Sequence, residues 1–180
     1  DLTFRVSPYA FFQVNTPVAE VLYKNIGDWL SLHENTLLLD VCCGTGTIGI
    51  FVSNKADKVV GLEINKDAIK DANENKKINN LNNIDFYEAN ASNIKQKTNL
   101  KPDVIIVDPP RSGLSKEVIN FLNDKKVKKL IYISCNPNTL KRDIDLLVNY
   151  NLIDINACNM FKRTKHIECV SLLQAKDFET

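Results

Sequence analysis

Three side chains in this sequence have the type and setting for covalent chemistry, and the first is Cys135. It follows the apolar run Ile131-Tyr132-Ile133-Ser134 and precedes Asn136-Pro137. A β-branched run that delivers one cysteine to an Asn-Pro turn reads as a strand tip. Strand tips are where α/β proteins display reactive groups, because the loops at the carboxyl ends of the strands form the ligand crevice. Val104-Ile105-Ile106-Val107-Asp108-Pro109-Pro110-Arg111 repeats the design with a carboxylate at the tip. A nucleophile and an acid on two strand ends of one sheet suggest covalent catalysis. A helix starting at Pro137 would lower the thiol pKa of Cys135, and the thiolate is the nucleophile. The third residue is Glu168, in His166-Ile167-Glu168-Cys169-Val170. Alternation puts His166, Glu168 and Val170 on one face. A lone glutamate at a strand start is ordinarily solvated. If this last strand runs antiparallel to the others, however, its beginning lies where they end, and Glu168 meets Cys135 and Asp108.

A second constellation surrounds Leu39-Asp40-Val41-Cys42-Cys43-Gly44-Thr45-Gly46-Thr47-Ile48-Gly49. The segment contains G-x-G-x-x-G, follows an apolar strand and opens a helix. Glu63 ends the next strand, where an acid would take ribose hydroxyls. Dinucleotide binding is one reading. Asp40 at the strand end, with Cys42-Cys43 inserted before the first glycine, favours another. That spacing resembles the first motif of class I S-adenosylmethionine-dependent methyltransferases. Residues 103–110 would then be the fourth-strand motif near the reacting methyl.

These residues need a scaffold. Strands are expected at 36–41, 58–62, 84–88, 103–107, 129–134, 152–157 and 167–173. Helices are expected at 66–78, near 116–122 and at 137–148, with another from the glycine loop to about residue 53. The first helix starts at Thr16-Pro17, with Thr16 as N-cap and Val18, Val21, Leu22, Ile26, Trp29 and Leu30 at helical spacing. Alternating strands and helices indicate a parallel doubly wound sheet, closed at one end by two antiparallel strands. Residues 1–6 read as a strand already under way, as in a fragment whose N-terminal region is missing.

The 180 residues make one domain, 44% hydrophobic and 25% charged, which is ordinary for a globular protein. No run is long enough to span a bilayer and no signal peptide is visible. The net charge of +1 gives no strong non-specific attraction to nucleic acid. The five cysteines include one adjacent pair and no C-x-x-C, which disfavours a disulfide framework and a metal or iron–sulfur site. A reducing, intracellular setting such as the cytoplasm fits. At Cys42, Cys43, Cys158 and Cys169 the expected role is non-covalent. The asparagines and lysines of residues 73–83 read as solvated surface bias.

Taken together, five segments resemble the RNA 5-methyluridine methyltransferase family, the tRNA (uracil-5-)-methyltransferases. They are Ser7-Pro8-Tyr9-Ala10-Phe11-Phe12-Gln13-Val14-Asn15-Thr16, residues 40–46, Asp108-Pro109-Pro110-Arg111-Ser112-Gly113, residues 132–137 with Thr139-Leu140-Lys141-Arg142-Asp143, and His166-Ile167-Glu168. The eukaryotic homologue A branch is most similar, on Phe-Phe-Gln-Val-Asn-Thr and Asp-Val-Cys-Cys-Gly-Thr-Gly-Thr. The resemblance implies a Rossmann-like class I fold with a mostly parallel seven-stranded sheet and an antiparallel last strand. It implies methyl transfer from S-adenosyl-L-methionine to carbon 5 of uridine in RNA, most simply the tRNA T-loop. By the same resemblance Cys135 is the nucleophile, Glu168 the base, and Asp108 lies between cofactor and target base. Gln13, Cys42, Gly44, Thr47, Glu63 and Asn90 would contact the cofactor, and Arg142 would support the site electrostatically. A monomer acting on RNA, without metal or membrane, is expected. Ribosomal RNA as substrate, a cytosine-5 methyltransferase, a cofactor-binding fragment without activity and a nicotinamide oxidoreductase are the alternatives.

Overall fold

A computed structural model of the chain describes residues 2–8, 13, 15–30, 36–91, 100–160 and 167–178. The strands are β1 (Leu37–Val41), β2 (Lys58–Glu63), β3 (Ile84–Glu88), β4 (Val104–Val107), β5 (Lys129–Ser134), β6 (Tyr150–Cys158) and β7 (Glu168–Ala175). The helices are α1 (Thr16–Trp29), α2 (Thr47–Phe51), α3 (Lys66–Ile78), α4 (Lys116–Lys125) and α5 (Pro137–Leu146). Short 3₁₀ turns follow α2 and β7 at Ser53–Lys55 and Lys176–Phe178.

The strands form one sheet in the order β3-β2-β1-β4-β5-β7-β6. All neighbours are parallel except the pairs β5–β7 and β6–β7. Strand order reverses between β1 and β4, so the crevice outside their carboxyl ends is the expected ligand site of an open α/β sheet. The central strands are apolar on both faces because helices cover both. Ala19, Leu22, Tyr23 and Ile26 of α1 pack with Ile48 and Ile50 of α2 and Ala72 of α3 over Leu38, Val59, Ile106, Ile131, Ile133 and Val170. The opposite face, with Leu39, Ile105, Leu130 and Tyr132, is covered by Val118, Phe121 and Leu122 of α4 and Leu140 of α5.

The structure corrects several sequence expectations. Asn15, not Thr16, occupies the N-cap of α1, and its side chain caps nothing. Instead it donates to the Met160 carbonyl at 2.7 Å, tying the start of α1 to the loop before β7. Val21 faces solvent, and Tyr23 takes its place on the apolar stripe. The α2 helix is only five residues long before the backbone tightens into its 3₁₀ turn.

Residues 2–7 belong to no strand. Their alternate N–H groups bond to α3 side chains one turn apart: Thr3 to Asn79, Arg5 to Asn75 and Ser7 to Asp71. Extended backbone repeats every two residues and a helix every 3.6, so donors at i, i+2 and i+4 meet acceptors spaced by four. Asn75 is fully buried. Its amide also donates to the carbonyls of Arg5 and Thr45, both at 3.0 Å, linking this segment to the glycine loop. Asn75, and Asn79 at the C-cap of α3, are therefore fasteners and not solvated bias, whereas Asn80 and Asn82 are exposed as expected. Asn75→Ala would strand the part-buried N–H and carbonyl of Arg5 and the buried carbonyl of Thr45. It should cost roughly 2–4 kcal/mol in denaturant unfolding. A loss below about 1 kcal/mol would mean that water replaces the amide.

Candidate active site

Alternation places five chemistry-bearing residues on the α1–α3 face of the sheet. Asp40 follows Leu38, Glu63 follows Gly61, Asp108 follows Ile106, Cys135 follows Ile133 and Glu168 precedes Val170, each by two residues. All five stand at the end of the sheet where β1, β2, β4 and β5 finish. Register brings the last two together. Ser134 pairs with Cys169 across the antiparallel β5–β7 ladder. The next positions outward are Cys135 and Glu168, so thiol and carboxyl arise from strands that point at each other. The antiparallel last strand does what its sequence implied.

Glu168 is buried, only 6% exposed. Burial pushes its carboxyl up to about 7, opposed by the positive charge of Arg111. Asp108 is half-buried. Its carboxyl is raised well above the ordinary range by burial and by the charges of Glu168, Asp40 and Glu63. The Cys135 thiol is half-buried and is also raised, by burial and then by Glu168, with a hydrogen bond and the charge of Arg111 acting to lower it. The expected depression by the α5 N-terminus is thus outweighed. Arg111 is the group that favours the thiolate. Sequence reasoning quoted it within a motif and gave it no role. The signal was an arginine three residues past a strand-tip aspartate in a Pro-Pro turn. Arg142, expected to act electrostatically, points to Asp143 and the Ser112 carbonyl instead. Tyr23 was also missed. Its phenol is buried and shifted upward, by desolvation and then by the charges of Asp108, Asp40 and Glu168. His166 lies outside the described residues.

The glycine loop closes the other side. Cys42, Gly44 and Gly46 all have positive φ, at 64°, 54° and 79°. A Cβ on Gly44 would meet nothing within 4 Å, so its backbone faces open space. A Cβ on Gly46 would lie 2.5 Å from the Phe86 ring, so that glycine is required by packing. Cys42 holds the left-handed region without being glycine, a backbone cost that the surrounding loop must sustain. Its thiol is pushed up to about 12 by burial and by Glu63, Asp108 and Asp40, which leaves it neutral and inert. Glu63 accepts the N–H groups of Gly44, Ile64 and Asn65. Thr47 shares a 3.0 Å hydrogen bond with the Thr45 hydroxyl. Asp40 is fully buried; its Oδ2 accepts the Gly49 N–H at 3.0 Å while Oδ1 has no partner. Burial raises this carboxyl to about 7.

Asn90 is brought to the tip of β2 by the Ala89 N–H, which donates to the Glu63 carbonyl at 2.8 Å. From there a groove of about 840 Å³ runs past Cys42, Pro109 and Pro110. Gln13 is half-buried, two residues before Asn15 and so close in sequence to the tie with the β7 loop. Among the described residues no group of three or more His, Cys, Asp or Glu could hold a metal ion. No described helix is long and apolar enough to cross a membrane.

Comparison with known proteins agrees with this geometry. A family model described as tRNA (Uracil-5-)-methyltransferase matches residues 1–176. An uncharacterized RNA methyltransferase of Enterococcus faecalis is 40% identical over 178 residues, covering 96% of this chain and 39% of the relative. The human tRNA (uracil-5-)-methyltransferase homolog A is 38% identical, covering 96% of this chain and 30% of the relative. The crystal structure of Pyrococcus abyssi tRNA (uracil-54, C5)-methyltransferase with S-adenosyl-L-homocysteine superposes with a TM-score of 0.85 at 35% identity, covering 96% of this chain and 42% of that one. The chain spans about two-fifths of the length of the first of these relatives. A matched fold, a matched family model over nearly every residue and relatives well above 30% identity lead to one statement: this chain belongs to the tRNA (uracil-5-)-methyltransferase family.

Proposed function

We propose that this chain is the catalytic domain of an S-adenosyl-L-methionine-dependent RNA uracil-5 methyltransferase, acting on a tRNA T-loop uridine. The observation that carries the reading is the register that sets Cys135 against Glu168, with Arg111 and Asp108 beside them. The cofactor supplies an electrophilic methyl on a sulfonium. The glycine loop suits it: Gly44 offers open backbone, Glu63 at the end of β2 is assigned the ribose hydroxyls, and the buried Asp40 carboxyl braces the loop from behind through the Gly49 N–H. Gln13, Cys42, Thr47 and Asn90 are assigned to its walls.

Carbon 5 of uracil is a poor nucleophile. The Cys135 thiolate adds to carbon 6, and the electron pair of the 5,6 double bond moves into the ring as an enolate. Arg111 favours the thiolate for this step. Asp108, whose carboxyl is pushed upward by burial and then by Glu168, Asp40 and Glu63, is assigned the position between the cofactor and the target base. After carbon 5 gains the methyl, the Glu168 carboxylate takes the carbon 5 proton. The electrons re-form the double bond and expel the thiolate. With a net charge of +1 the chain contributes base capture and chemistry more than backbone grip.

A tRNA carrying 5-fluorouridine in the T-loop tests the reading. Fluorine cannot leave as a proton, so the full-length protein should form a denaturation-resistant RNA adduct that tryptic mass mapping places on Cys135. An adduct on another cysteine, or none with the cofactor present, would refute the assignment. The same assay with ribosomal RNA fragments discriminates the substrate.

A further inference from the structure

A buried node behind the site fixes the group that faces the thiol. Asp143, on α5, has no solvent exposure. Its Oδ2 accepts the Leu114 N–H at 2.7 Å and the Tyr132 hydroxyl at 2.6 Å. Its Oδ1 accepts Nε and Nη2 of Arg142 at 2.8 and 2.6 Å. The same Nη2 donates to the Ser112 carbonyl at 2.9 Å. Three segments meet here: β5 three residues before Cys135, the first turns of α5, and the loop immediately after Arg111.

The loop is pressed against this node. Gly113 has φ +80°, and a Cβ there would lie 2.4 Å from Asp143 Oδ2 and 2.5 Å from Arg142 Nη2. The Arg111 carbonyl receives the Asn136 amide at 3.2 Å and the Thr139 hydroxyl at 3.3 Å, both from the start of α5. The backbone of Arg111 is thereby fixed to the helix that begins just after Cys135. A carboxylate with no solvent exposure is a poor device for stability alone, since burying it carries a desolvation cost that its partners must offset. A fully satisfied one specifies a unique arrangement.

We propose that Asp143 is a positioning residue for the reaction: it locks the Arg111 loop in register with β5, so that one guanidinium faces both the Cys135 thiol and Glu168. The proposal rests on the reading of Cys135 as nucleophile. It extends that reading to a residue that touches neither substrate nor cofactor.

The test is Asp143→Asn in the full-length protein, which keeps size and removes the charge that holds Arg142. Three quantities are measured: the pH profile of Cys135 alkylation by iodoacetamide, read on its own peptide by mass spectrometry; kcat for RNA methylation; and affinity for S-adenosyl-L-homocysteine. The alkylation profile should move to higher pH as Arg111 loses its place. The kcat should fall on the order of 100-fold, the scale of a misplacement near 1 Å, while cofactor-product affinity is kept. Arg142→Gln should shift the profile in the same direction by less. Its side chain is half exposed, so it decides the matter if Asp143→Asn does not fold. A folded variant with an unmoved Cys135 profile overturns the proposal even if its Tm falls, because lost stability alone is what a merely structural node would give. If the wild-type protein methylates no RNA, the functional reading fails separately, and the alkylation profile still decides the role of Asp143.

Discussion

Replacing Cys135 by alanine should reduce methyl transfer to RNA by at least about 10⁴-fold, the scale seen when a covalent nucleophile is removed. The size follows from the substrate. Without addition at carbon 6 there is no enolate, and a correctly bound methyl donor has nothing to react with. The same substitution should leave the fold and the affinity for S-adenosyl-L-homocysteine unchanged. Cys135 sits beyond the end of β5, whereas the glycine loop is built from β1, α2 and Glu63. Calorimetry beside a methyl-transfer assay measures both. Activity within tenfold of wild type would remove Cys135 from the mechanism. Loss of cofactor affinity would show instead that the variant had collapsed the site.

Glu168→Gln should give the opposite phenotype, chemistry that begins and does not finish. Glutamine fills the same volume but cannot accept the carbon 5 proton. Methyl should therefore transfer about once per enzyme, and covalent RNA–protein complex should accumulate. Multiple turnovers would assign the proton to another base. In the wild type the base must be ionised, so kcat/KM should rise with pH through about 7, the position to which burial pushes Glu168. Stability should move the other way. Below the ordinary carboxylate pKa of 4.5 the group is neutral whether folded or not, and its burial costs little. Between 4.5 and about 7 the unfolded chain ionises while the native one resists, and stability is lost. Glutamine escapes that penalty. The inactive variant should be more stable than wild type at pH 8, by up to about 3 kcal/mol at 1.36 kcal/mol per pH unit. Equal stability of the two proteins at pH 8 would mean that Glu168 is solvated in solution. The difference is the cost of keeping a base poised in a dry site.

What could be read from residues alone follows the range of the forces involved. The strands announced themselves as apolar runs, because a central parallel strand is buried on both faces. Helix α3 and strands β3 and β5 fall at the residues their patterns indicated. Even the approach of Glu168 to Cys135 was legible, since it needs only strand direction. The misreadings involve partners remote in sequence. Asn75 and Asn79 looked solvated because the segment they fasten, residues 3–5, lies some 70 residues away and carries no periodic signal of its own. The Cys135 thiol was expected to be acidified by the adjacent helix. That local field is opposed by burial and by a carboxylate from β7, neither of which local sequence reveals. Arg111 was passed over for the same reason: its importance lies in the strand tip it reaches, not in its neighbours along the chain.

The position of β7 has a consequence for how the protein is made. It inserts between β5 and β6, and Cys169 pairs with Ser134, 35 residues earlier. During synthesis β1 to β5 emerge first, with the glycine loop and the thiol already encoded, while the flank of β5 has no neighbour. That flank is an open ladder of apolar residues, the kind of edge that recruits other chains. On the proposed mechanism, a nascent chain halted before residue 168 would hold the parts assigned to the methyl donor and to attack on the base, but not the carboxylate assigned to product release. The eight residues that complete the sheet are thus also the ones that carry the base of the proposed cycle.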